Sequence, residues 1–199
     1  MSTVAVVYHS GYGHTKVLAE AVARGAESHP GTTVHLVPVE DLPPPGEDRS
    51  MGGSWPLLEG ADAIVMGCPT YMGSVSASMK QFMEYSSAYW MNSAWKDKIA
   101  GGFTNSASMS GDKLNTLVDF AVFAAQQMMV WVGADLPAGN NSTHGSNDDL
   151  NRLGSYLGPM AQSDADAPPE VAPPIQDQKT GEAYGVRIAK ATARWLAGA

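Results

Sequence analysis

Val4-Ala5-Val6-Val7-Tyr8-His9-Ser10-Gly11-Tyr12-Gly13-His14-Thr15-Lys16 is the stretch that decides the fold. The apolar run from Val4 to Tyr8 predicts a buried strand, and a helical pattern opens near Lys16. Between them lie hydroxyls and glycines. A strand that turns through such a loop into a helix presents unpaired amide N–H groups at a helix N-terminus, where an anion is favoured. The segment has neither the G-x-x-x-x-G-K-[ST] spacing of a nucleoside triphosphatase nor the G-x-G-x-x-G of a dinucleotide fold, so a single terminal phosphate fits it better. Ser10 and Thr15 offer hydroxyl hydrogen bonds, and Gly11 and Gly13 let the backbone approach a ligand. The alternative is a glycine-rich turn that binds nothing.

Outward from this loop the hydrophobic period alternates between strand and helix. Strands are expected at Thr3 to Tyr8, Thr33 to Val39, Ala63 to Cys68, Ile99 to Thr104 and Met129 to Val132; four of these runs carry little or no charge, as in a parallel sheet buried on both faces. Val17, Leu18, Ala21 and Val22 recur at helical spacing, as do Met79, Phe82 and Met83, then Leu114, Leu117, Val118 and Ala121. Tyr184, Ile188, Ala191 and Trp195 mark a last helix, expected to cover the sheet beside the first. The fold class is therefore α/β: a doubly wound, five-stranded parallel sheet, expected in the order 2-1-3-4-5 with helices on both faces. One domain, 1–199, is expected. The turn-rich stretch from Pro43 to Gly53 reads as a surface loop leading to a short helix that ends near Leu58. From about Pro137 to Gln178 the chain is dense in Gly, Asn, Asp, Ser and Pro. This segment, 137–178, is expected as an irregular insertion, packed, disordered or docked on another subunit.

In an open sheet of this type ligands sit outside the carboxyl ends of the strands, where strand order reverses. Three loops meet that condition. Besides the first, Pro69-Thr70-Tyr71-Met72-Gly73 follows the third strand, and Asn105-Ser106-Ala107-Ser108-Met109-Ser110 follows the fourth. Tyr71 and Met72 offer polarizable surface to a flat ring, and the small polar run offers amides and hydroxyls to its edge. A heteroaromatic ring with a ribityl-like chain and one phosphate satisfies all three loops, which describes FMN. Each later loop alone would also serve as an ordinary cap for the helix that follows it.

The composition narrows the class further. A net charge of −8 without a basic run argues against nucleic acid as a partner. No apolar stretch is long enough to span a bilayer and no leader pattern is seen, so no membrane insertion and a cytoplasmic location are expected. The single cysteine, Cys68, excludes an internal disulfide and a cysteine-rich metal site, and no metal is expected. It reads as a small buried residue rather than a redox group.

Ser10 to Thr15, Pro69 to Gly73, Tyr89-Trp90 and Phe103 to Gly111 together resemble the WrbA-type NAD(P)H:quinone oxidoreductases of the flavodoxin-like superfamily. The likeness runs from about Val4 to Val132. It implies FMN held at its phosphate by Ser10, Gly11, Tyr12, Gly13, His14 and Thr15, with His14 used through its backbone amide. It also implies that Thr70 to Met72 lie at the flavin ring and Asn105 to Ser110 at its polar edge, with Tyr12 near the nicotinamide and Trp90 near the substrate. NADH or NADPH would give a hydride to the flavin, and a quinone-like acceptor would then take two electrons. A homo-oligomer, dimer or tetramer, is implied as well. No side chain is assigned as catalytic acid, base or nucleophile, since the cofactor carries the electron chemistry. The chain departs from its relatives at Tyr71 and Met72, where they commonly carry arginine and phenylalanine, and at Ala125, where they carry a histidine. His144 reads as an exposed loop residue. The rival readings are a flavodoxin-type carrier of single electrons, a reductase of nitroaromatic, azo or metal-oxyanion acceptors, and a non-catalytic flavin-binding subunit.

Overall fold

The computed structural model describes residues 1–198. In chain order the elements are β1 (Ser2–Tyr8), α1 (His14–Glu27), β2 (Thr32–Pro38), α2 (Trp55–Glu59), β3 (Ala63–Tyr71), β4 (Ser74–Val75), α3 (Ala77–Tyr85), α4 (Ser87–Met91), β5 (Ile99–Ser106), α5 (Lys113–Gln126), β6 (Val130–Trp131), β7 (Met160–Gln162) and α6 (Ile175–Ala197). The strands β2-β1-β3-β5-β6 lie in that order and pair in parallel, the doubly wound arrangement expected from the alternation. Because successive strand residues point to opposite faces, β1 feeds two cores. Val4 and Val6 face Leu18, Val22 and Ile188 of α1 and α6. Ala5 and Val7 face the other side, where Trp55, Phe82, Tyr89, Trp95 and Phe123 pack ring against ring.

The last helix does lie beside the first. Close contact is possible because Gly25 and Gly185 carry no side chain: a Cβ on Gly25 would strike the Glu182 carbonyl, and one on Gly185 the Val22 carbonyl. The other side of α6 is fixed by Tyr184, whose hydroxyl donates to Val132 O at 2.6 Å and accepts from the Gly102 amide at 3.2 Å.

Two strands run past their expected ends for one reason. β3 continues through Tyr71 because β4 folds back on it, pairing Thr70 with Val75 and Tyr71 with Ser74. β5 continues through Ser106 because β7 pairs Thr104, Asn105 and Ser106 with Met160, Ala161 and Gln162. β7 comes from the segment expected to be irregular. The fifth strand is therefore divided: β6 covers the start of β5 at Ile99 and Ala100, and β7 covers its end. The expected strand Met129 to Val132 accordingly shortens to Val130–Trp131. No helix among the described residues is long and apolar enough to cross a membrane.

Candidate functional site

At the carboxyl ends of β1, β3 and β5 a cleft of about 510 Å3 opens between the three loops, within the size range of small-molecule sites, roughly 300–1,000 Å3. The structure brings Gly11, Tyr12, His14, Thr15, Pro69, Thr70, Tyr71, Met72, Gly73, Asn105, Ser106, Ala107 and Ser108 onto its walls. Ser10, Gly13, Met109 and Ser110 are not among the lining residues, and Met109 stands exposed on a neighbouring groove with Arg152 and Gln162. Gly111, which ends the third motif, lines it too, as do Asp112, Ser163 and Ala165, which the sequence did not single out. Gly111 and Asp112 simply continue the third loop. Ser163 and Ala165 arrive through the β5–β7 pairing, which has no local signal.

The first loop is shaped by Gly13, whose φ of +90° suits a residue without a Cβ and lets α1 start at His14, two residues before the expected point. Ser10 Oγ accepts the Lys16 amide at 3.1 Å and Gly13 O accepts the Val17 amide at 3.1 Å. The amides of His14 and Thr15 are the first in the helix, where helix geometry supplies no acceptor. Both residues line the cleft. His14 has a second use that its backbone role did not suggest: its buried imidazole donates from Nε2 to Ala167 O at 2.7 Å, tying the late segment to the loop.

The second loop is held from below. Thr104 Oγ1 donates to Cys68 O at 2.7 Å, so it must accept from Thr70 Oγ1 at 2.9 Å, and Thr70 in turn accepts from Thr116 at 2.8 Å. The Thr70 hydroxyl is thus committed inside the protein, leaving its backbone to the cleft. Past it, Met72 and Gly73 turn through left-handed φ values of +49° and +80°. Asn115 Nδ2 donates to Gly73 O at 2.8 Å, and Ser74 Oγ donates to Asp119 at 2.6 Å. Tyr71 reaches across to the first loop, with its hydroxyl 2.5 Å from where a Cβ on Gly11 would stand. Partial burial and the neighbouring Tyr12 push its phenol pKa up.

The third loop is tied to both α5 and the late segment. Lys113 Nζ and Ser106 Oγ each donate to Ser108 O at 3.0 Å. Ser163 N donates to Ser106 O at 3.1 Å, and Ser163 Oγ donates to Asn105 Oδ1 at 2.9 Å, which turns the Asn105 amide nitrogen the other way. The first turns of α5 therefore hold two loops at once: Lys113 the third, Asn115, Thr116 and Asp119 the second.

Trp90 is elsewhere. It stands half-exposed on a separate groove of about 590 Å3 between α3, α4 and α5, with Met83, Val122, Phe123 and Gln127. Within one chain it does not meet Tyr12. Cys68 is buried, and burial pushes its thiol pKa up to about 12. His144 is exposed, as is Ala125 on α5. Among the described residues, no group of three or more His, Cys, Asp or Glu side chains could hold a metal ion.

The parallel sheet of order β2-β1-β3-β5-β6 with an anion-accepting loop after its first strand defines a flavodoxin-like protein, and the cleft suits FMN: two unpaired helix-start amides for a phosphate, the Tyr71 side chain on the wall for a flat ring, and a polar third loop. The chain belongs to the NADPH-dependent FMN reductase family, whose profile matches residues 4–143. It is 40% identical over 190 residues to flavodoxin FldP of Pseudomonas aeruginosa, covering 96% of each chain. Over 143 residues it is 35% identical to a NAD(P)H dehydrogenase (quinone) of Geobacter sulfurreducens, covering 65% of this chain and 70% of that one. Among solved structures, a WrbA-like flavodoxin from Agrobacterium tumefaciens is 38% identical, with a TM-score of 0.70 and coverage of 98% of this chain and 99% of that one. The WrbA-type resemblance read from the motifs holds. The protein is an oxidoreductase of the FMN type, with NAD(P)H as electron donor.

Proposed function

We propose that the protein passes two electrons from NADH or NADPH, through FMN, to a quinone or a related flat acceptor. The observation that carries this reading is the open mouth of the cleft, where Tyr12 and Met72 are strongly exposed above the three loops. One accessible face serves donor and acceptor in turn: the reduced nicotinamide gives its hydride, leaves, and the acceptor takes its place. Ser10 to Thr15 hold the phosphate, Pro69 to Gly73 flank the ring, and Asn105 to Ser110 present its polar edge. Tyr12 offers aromatic surface to either substrate. Trp90 joins them from a second copy in a homodimer or homotetramer, because its own chain keeps it on a different groove. The chain acts as one domain in the cytoplasm, with 137–178 as the insertion that finishes the third wall of the cleft.

Steady-state oxidation of NADH and NADPH by the FMN-loaded protein with benzoquinone tests the reading. Ping-pong kinetics is the expected result, and negligible turnover with every quinone overturns it. A second reading has support of its own, since the relative matched over 96% of both chains is named a flavodoxin. Under that reading the protein carries single electrons to a protein partner. Photoreduction separates the two: a two-electron enzyme passes from oxidised to fully reduced flavin, and a carrier accumulates the one-electron form. Nitroaromatic and azo compounds, assayed beside benzoquinone, rank the acceptor classes.

A further inference from the structure

Under the third loop lies a small group of buried charges that neither loop chemistry nor family membership assigns. Arg152 binds Asp177 through two hydrogen bonds of 2.7 and 2.8 Å, and the second Asp177 oxygen also accepts the Gln162 amide of β7 at 2.9 Å. This pair is internally neutral. Lys113, only 1% exposed, stands beside it without a carboxylate of its own at ion-pair distance among the described residues, and gives its ammonium to the Ser108 carbonyl. One positive charge therefore remains out of water beneath the loop that lines the cleft, in a chain whose net charge is −8.

We propose that Lys113 is the buried countercharge for reduced FMN: through Ser108 it positions the third loop, and its charge favours electrons on the ring edge that this loop faces. The inference rests on the flavin-site reading above. A hydride from NAD(P)H brings two electrons and one hydrogen to FMN and leaves NAD(P)+, so the reduced ring gains one negative charge. A desolvated ammonium acts on that charge with little screening by salt, whereas the acidic surface is screened. Charge beside the ring is one of the means by which a protein tunes a flavin.

Lys113 also titrates in a useful range. Burial disfavours the ammonium and lowers its pKa to about 8; Asp177 of α6 acts against this and Arg152 of the late segment acts with it. Linkage is reciprocal: if the lysine charge favours reduced FMN, reduced FMN favours the charged lysine. Reduction above pH 8 then takes up an additional proton.

The test is the ratio of dissociation constants of oxidised and dithionite-reduced FMN, measured for the full chain and for Lys113→Met and Lys113→Arg. At pH 7, Lys113→Met should move the ratio about tenfold against reduced FMN, about 30 mV for a two-electron couple, and Lys113→Arg should retain it. The unsubstituted protein should lose the same factor between pH 7 and pH 9.5, and Lys113→Arg should not. If Lys113→Met fails to fold, the pH comparison with Lys113→Arg still decides. A ratio independent of pH in the unsubstituted protein, or the same in Lys113→Met, overturns the countercharge while leaving the flavin site intact. Failure of the unsubstituted protein to bind FMN overturns both.

Discussion

Gly13 is the residue whose replacement tests the phosphate loop most directly. At φ +90° a side chain is strained by about 1–2 kcal/mol, and its Cβ would stand 3.0 Å from the Pro169 ring, so both the helix start and the docked late segment must shift. Gly13→Val should weaken FMN binding at least tenfold by equilibrium titration; an unchanged dissociation constant would remove the loop from the site. Cys68 makes the opposite kind of prediction. With its thiol buried and its pKa raised to about 12, thiolate is scarce at pH 8. An aromatic disulfide reagent should leave the native protein unlabelled for hours and label one thiol at once in denaturant. Fast native labelling would mean that the second loop opens readily. The glycines and hydroxyls of the first loop were legible because local backbone geometry selects those residue types. The commitments of Thr70 and His14 were not, because their partners, Thr116 and Ala167, lie far along the chain.

At the scale of elements, α5 and α6 bring distant loops into one site. α5 secures the second and third loops with a polar face made of Lys113, Asn115, Thr116 and Asp119, a pattern that reads in sequence as an ordinary solvated helix start. α6 carries in its first turn Asp177, which holds Arg152 and β7 together. Replacing it as Asp177→Asn leaves the Arg152 guanidinium buried without its countercharge, an effect of about 3–5 kcal/mol in such pairs. Urea unfolding should show a loss of unfolding free energy of that size, read as a lower midpoint at unchanged slope, accompanied by weaker FMN binding because Gln162 and Ser163 move with β7. Loss of stability below about 1 kcal/mol would show that the pair is solvated in solution. The main strands and the first half of the α6 stripe, Tyr184 and Ile188, were legible because burial on both faces and helical spacing are written in consecutive residues, whereas Trp195, expected to continue that stripe over the sheet, is exposed near the helix end. β7 was not, since three residues among glycines and prolines become a strand only when β5 is there to pair with them.

On the scale of the whole molecule, one group of exposed apolar side chains lies on α5 and the neighbouring α4. Leu114, Val118 and Val122 recur every fourth residue on α5, and Trp90 and Met91 stand exposed on α4, a concentration of apolar surface suited to association with a second copy. Trp90→Ala should raise the quinone KM or lower turnover while FMN binding stays within twofold, since the phosphate loop is untouched. Val122→Asp should reduce the mass found by light scattering. A chain that is already monomeric, with kinetics insensitive to Trp90, would leave this face as surface alone. The divided fifth strand has a separate consequence, for aggregation. An uninterrupted strand at a sheet margin is a template on which a foreign chain can continue the ladder. Here that margin is broken into pieces of two and three residues, β6 and β7, with irregular chain between them. Continuous templating is left to the opposite margin, Thr32–Pro38, whose last residue has no amide hydrogen to donate. Misassembly by strand addition therefore has one place to begin, on the side of the sheet away from the divided strand.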